Sequence, residues 1–137
     1  MKIPLTKDVL VLRTDFTDEA TWKIICHEIN SPSGEYGFVA TVEFLSDKIF
    51  EGFPSDQILS SLPENYNHPF LCFVDNETIT HKEHPILCLD LKDEPGRTFR
   101  IIPSEMWAIE NNLFVGNMNF YEFADNIDAD GIFRGFH

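Results

Sequence analysis

The chain has 137 residues, 43% of them hydrophobic, with thirteen Phe among an aromatic fraction of 13%; that length suits one domain, and the composition excludes a disordered chain. Twenty-three acids against ten Lys and Arg give a formal charge of −13, which argues against direct nucleic-acid binding, because phosphate recognition draws its affinity from basic side chains. The same charge permits a basic protein partner and would steer it toward the surface at low salt.

In chain order, the β-branched and Leu run Val9–Arg13 reads as a buried first strand. Residues 14–17 turn the chain, Asp15 or Thr17 is placed to cap a helix, and Asp18 and Glu19 suit its positive end. Trp22, Ile25, Cys26 and Ile29 then fall at i, i+3, i+4 and i+7, one apolar stripe that predicts a helix to about Asn30, stopped by Ser31-Pro32-Ser33-Gly34. Residues 38–45 read as a second strand, apolar on one face and nearly so on the other, which implies cover on both sides of a sheet. Ser55 opens a predicted short helix with Ile58, Leu59 and Leu62 inward, closed by Pro63.

Residues 69–74 and 85–91 predict the third and fourth strands, with a turn at Asp75-Asn76-Glu77 between them. After a loop at 92–96, residues 97–102 return as a fifth. A helix starts at Ser104-Glu105 with Met106, Ile109 and Leu113 or Trp107 toward the core. A shorter one spans 119–126 with Phe120, Phe123, Ala124 and Ile127 on one side. The tail 131–136 is too aromatic to hang free and is expected to dock. The expectation is one α/β domain over residues 1–137, or α+β: a mixed five-stranded sheet with helices packed on it.

Taken together, Leu12-Arg13-Thr14-Asp15-Phe16, Val42-Glu43-Phe44, Gly96-Arg97-Thr98-Phe99-Arg100, Pro103-Ser104-Glu105, Glu110-Asn111-Asn112-Leu113, Asn117-Met118, Glu122-Phe123-Ala124-Asp125 and the ending Asp130-Gly131-Ile132-Phe133-Arg134-Gly135-Phe136 resemble an uncharacterised family of short stand-alone bacterial proteins, over nearly the whole length. The resemblance implies one domain and a bacterial cytoplasm, and brings with it no activity and no catalytic residue.

The residues themselves agree on location. Met1-Lys2-Ile3-Pro4 carries no apolar leader, and no run approaches the ~20 apolar residues that span a bilayer. Cys72 and Cys88 lie in apolar runs, and with Cys26 the count is odd, so reduced thiols are expected rather than a disulfide framework.

Several constellations invite chemistry. Asn126-Ile127-Asp128-Ala129-Asp130-Gly131 matches the first half of a calcium loop, but the bidentate Glu at its twelfth place is His137 here; a turn is the better reading. His81 and His84, with His68 upstream, lie in a connection cut off by Pro85 and lack the partners of a zinc site. Ser104 has no nucleophile-elbow context, and Cys26 and His27 point apart on their helix. No cofactor or metal is expected. Glu43, Asp90, Arg13 and Arg100 are charges within apolar strands and must face solvent or pair, the sharper alternative being a polar patch for a ligand.

Two functional readings compete. Asp15 and Asp75, each at a strand end, would converge at the carboxyl edge of an α/β sheet and hold Mg²⁺ or accept a phosphoryl group. Alternatively, the stretch between Arg100 and Arg134, free of Lys and Arg, would interleave acids with Trp107, Phe114, Met118, Phe120 and Tyr121 as an interaction surface. Its named residues are Glu105, Trp107, Glu110, Asn111, Asn112, Glu122 and Asp125. The leading expectation is a small acidic cytosolic module binding a basic protein, in concrete form an immunity-type inhibitor. The strand-end carboxylate site and a small-molecule binder are the alternatives.

Overall fold

The computed structural model describes residues 2–136, so Met1 and the His137 of the calcium-loop comparison lie outside it. A six-stranded mixed sheet is threaded by four helices: β1 Val9–Arg13, α1 Glu19–Asn30, β2 Val42–Leu45, β3 Phe70–Val74, α2 Asn76–Thr80, β4 Ile86–Asp90, β5 Thr98–Ile101, α3 Met106–Phe114, α4 Phe120–Ala124 and β6 Ile132–Phe133. Strand order is β2-β1-β3-β4-β5-β6. β1 runs parallel to β2 and β3, β4 is antiparallel to β3 and β5, and β6 is parallel to β5.

Alternation sorts the central strands onto two cores. Val9, Val11, Phe70, Cys72, Val74, Ile86 and Cys88 face the four helices, against Trp22, Ile25, Ile29, Met106, Ile109, Phe120 and Phe123. Leu10, Leu12, Leu71, Phe73 and Leu89 face Ile3, Phe50 and Ile58, from the N-terminal segment and the β2–β3 connection. Both faces are therefore covered, as the continuous apolar strands require.

Five details depart from the periodicity. The sixth strand is the docked tail: Ile132 and Phe133 pair with Arg100 and Ile101, too short a run to announce itself. The second strand begins at Val42 rather than at 38, because side chains of α3 take the preceding backbone: Glu110 Oε1 accepts from Thr41 N (2.7 Å), and Asn111 Nδ2 donates to Val39 O (3.2 Å). The predicted helix from Ser55 is two successive 3-10 turns, Ser55–Gln57 and Leu59–Ser61, joined through the buried Ile58, while Leu59 is exposed. Finally, the turn at 75–77 is the first turn of α2, where Asp75 and Thr78 form a reciprocal capping box. Ile127, expected inward, is exposed.

All three cysteines are free, and the Sγ atoms of Cys72 and Cys88 lie 3.6 Å apart across the β3–β4 ladder. Burial pushes the Cys72 thiol well up and that of Cys26 to about 11, so both stay protonated and unreactive at neutral pH.

Candidate functional site

The parallel strands β1 and β3 end side by side, where Thr14 N donates to Val74 O. Asp15 and Asp75 thus share one edge of the sheet, and Asn76 Nδ2 donates to Asp15 Oδ2 at 3.1 Å. Their chemistry is nevertheless separate. Arg100 donates to both Asp75 oxygens, at 2.9 and 2.7 Å, and its Nε lies 3.3 Å from Glu77. Asp75 also accepts from the backbone and hydroxyl of Thr78. Burial alone would raise the Asp75 carboxyl, but the guanidinium and the cap outweigh it and hold the group below the usual carboxylate range. Asp15, likewise lowered against a desolvation cost, is held by Thr17 and Asn76. Each carboxylate is already employed in the architecture, and among the described residues no group of three or more His, Cys, Asp or Glu is placed to hold a metal ion.

The other strand charges also turn inward on the protein. Arg13, 3% exposed, pairs with Glu19 at 2.8 Å, and its guanidinium lies over Phe16 and Trp22. Glu43 accepts from Asp8 N. Asp90, fully buried, pairs with no cation among the described residues; it accepts from the backbone N–H groups of Lys92, Asp93 and Glu94 and so folds the β4–β5 loop.

The calcium-like loop grips a cation of the protein's own. Arg134 reaches Asp128 (2.8 Å) and Asp130 (2.7 Å), and its other side takes Glu83 through Nε and Nη2. His84, at φ 51°, pairs its Nδ1 with Glu28 at 2.8 Å. The cleft between α1 and the start of α3, about 330 Å³ and lined by Glu28, Ser31, Ser33, Glu83, Pro103 and Ser104 among others, thus has both of its carboxylates engaged, Glu28 by the His84 ring and Glu83 by Arg134.

Of the seven residues named for an interaction surface, four are committed to structure. Asn112 donates to Ala108 O and accepts from Asn117, Glu122 closes the capping box of α4 with Asn119, and Asp125 pairs with Arg97. Glu110, expected among outward acids, is only 5% exposed and clamps Thr41 N while accepting from Asn111 Nδ2 at 3.0 Å. Glu105 is half-buried, and burial raises its carboxyl.

Trp107 and Asn111 share a different fate. The Phe38 ring stacks on Trp107, with centroids 4.7 Å apart and planes at 18°, and Tyr36 leans on Phe38 at 6.0 Å. Trp107, Asn111 and Phe114 fall at i, i+4 and i+7 on α3, one stripe of that helix. Tyr36, Phe114 and Val115 are 78%, 67% and 70% exposed. Two hydrogen bonds and a stacked ring therefore fix an aromatic loop beside an aromatic helix stripe, open to solvent. Sequence reasoning left Tyr36 unplaced and put Phe38 in the second strand; Gly34 and Gly37, both at positive φ, were the signal that the chain loops there.

Glu110 also yields a prediction. Burial raises its carboxyl above the ordinary 4.5, so the folded state holds its proton more tightly and stability falls as pH rises through that group's folded range. Glu110→Gln keeps an acceptor for Thr41 N and removes the buried charge. Urea unfolding is expected to show unchanged or slightly higher stability at neutral pH, with a flatter profile just above the ordinary glutamate range. A loss above ~2 kcal/mol at neutral pH would mean the charge itself is needed.

These observations define a small acidic mixed α/β domain whose charged clusters serve its own architecture and whose exposed Tyr36 and Phe38 gather against Trp107. The chain belongs to the family described as Domain of unknown function (DUF6924), whose model matches residues 8–136. No curated protein matches the sequence, and no helix among the described residues is long and apolar enough to cross a membrane.

Proposed function

We propose that this domain is a protein-binding module of the bacterial cytoplasm, with the face formed by Tyr36, Phe38, Val39, Trp107, Asn111 and Phe114 as its docking surface and a basic protein as its partner. One observation carries the reading. The exposed aromatic face is assembled from two stretches, residues 24–47 and 101–133, that contain no Lys or Arg. Contiguous exposed aromatics are costly to leave in water and typify interface centres. Acid-only flanks favour a cationic partner and repel acidic ones. In its most concrete form the module neutralises a basic enzyme, as an immunity-type inhibitor does, by laying aromatics and carboxylates over a cationic cleft.

The clamp by Glu110 and Asn111 adds to this. A loop already fixed in place gives up little conformational entropy on binding. The strand-end pair Asp15 and Asp75 is a weaker basis for function, because Arg100 already occupies the second carboxylate.

The test is a double variant, Phe38→Ser with Phe114→Ser, which touches no fully buried side chain. Its thermal midpoint is expected within a few degrees of the parent, while capture of the partner from native extract falls at least ~100-fold, the loss of two interface anchors. Undiminished capture by the folded double variant would remove the docking face.

A further inference from the structure

We infer that β2 receives an extended, lysine-bearing segment of the basic partner as an added strand, an inference that rests on the docking reading and names how the partner engages. β2 closes one edge of the sheet, with β1 as its one strand neighbour. Among the described residues, the backbone of 42–46 makes no hydrogen bond beyond the β1 ladder. Its outward N–H and C=O groups are therefore a template for another strand.

Natural edges are usually blunted, and the opposite edge here is: β6 is two residues long and runs straight into Arg134, clasped by three carboxylates. β2, four residues long, is less protected. Residues 40–47 contain no Pro, Lys or Arg, and the one charge in the strand, Glu43, turns its carboxylate back to Asp8 N. The edge is also continuous with the aromatic face, since Phe38 and Val39 lead into it.

The flanks specify what side chains an added strand would carry. On the helix side Val42 and Phe44 are half-buried, Phe44 resting edge-on against Trp22 at 5.9 Å. Glu43 lies on the opposite side with Leu45, and Leu45 borders a cleft of about 290 Å³ that Lys2, Asp47 and Ile49 also line, so the Lys2 charge is balanced there by Asp47 and Glu43 is left as the strand's own acid. Alternating apolar and cationic residues complement those two sides. A second copy of this chain does not: it brings another −13.

The probe is a synthetic peptide of alternating lysine and valine, with a control of the same sequence N-methylated at alternate residues. Hydrogen exchange of the protein amides at 42–46 is expected to slow by about tenfold or more with the plain peptide. The N-methylated control is expected to bind about tenfold more weakly, because it keeps the side chains and loses the ladder. Equal binding of both peptides, or unchanged exchange along β2, would overturn strand addition. So would self-association of the protein alone through β2. Protection of β2 that survives in the Phe38→Ser, Phe114→Ser variant supports strand addition even where the aromatic face fails. A partner that needs the aromatic face yet leaves β2 exchanging freely overturns strand addition and leaves that face standing.

Discussion

Phe133→Ala is expected to cost about 3–5 kcal/mol, the range for truncating a fully buried aromatic. Phe133 meets Phe99, Phe123 and Phe136 edge-on at 5.0–6.4 Å, and it is half of the strand that ties the tail to β5. A domain of this size is held together by roughly 5–15 kcal/mol, so the change consumes a large share. Urea or thermal unfolding measures it, with a midpoint fall on the order of 10 °C or more. Phe136→Ala is the internal comparison: half exposed, it should cost less than ~1.5 kcal/mol. Near-equal small losses for both would mean that the tail is not part of the fold.

Asp75→Ala is expected to cost about 2–4 kcal/mol, since it removes the cap of α2 and leaves the Arg100 guanidinium, 16% exposed, without its bidentate partner. The pH dependence follows from the direction of the shift. The folded-state carboxyl sits below its ordinary 3.8, so its stabilisation is full above that value and is lost as pH falls through the folded one. The gap between parent and variant should be constant near neutrality and close in acid. Asp75→Asn retains a cap acceptor and should cost less. If either variant kept full stability, the Arg100 pair would not be structural, and a ligand role for Asp75 would regain ground.

The strands β1, β3, β4 and β5 and the helices α1, α3 and α4 were legible because their apolar periodicity is local. The boundary of β2 was not: it is set by Glu110 and Asn111, some seventy residues later in the chain. The 55–61 segment carries helical spacing, yet Pro54 and Pro63 leave room for short turns only. For the candidate surface, Trp107 and Asn111 could be named from sequence, and the spacing to Phe114 was already there to extend the stripe. Tyr36 and Phe38 could not be placed, because a stack between residues 38 and 107 is purely tertiary. Asp15 and Asp75 could be placed at strand ends, but whether the two converge could not be read, and the capture of Asp75 by Arg100 depends on the β3–β4–β5 register.

The docking account is tested most directly by capture on the immobilised protein from native cytosol, washed in steps of rising salt. It predicts one stoichiometric basic protein, retained at low salt and released at high salt as screening removes the electrostatic share of the affinity. An empty eluate at low salt, from protein shown to be folded, would contradict it.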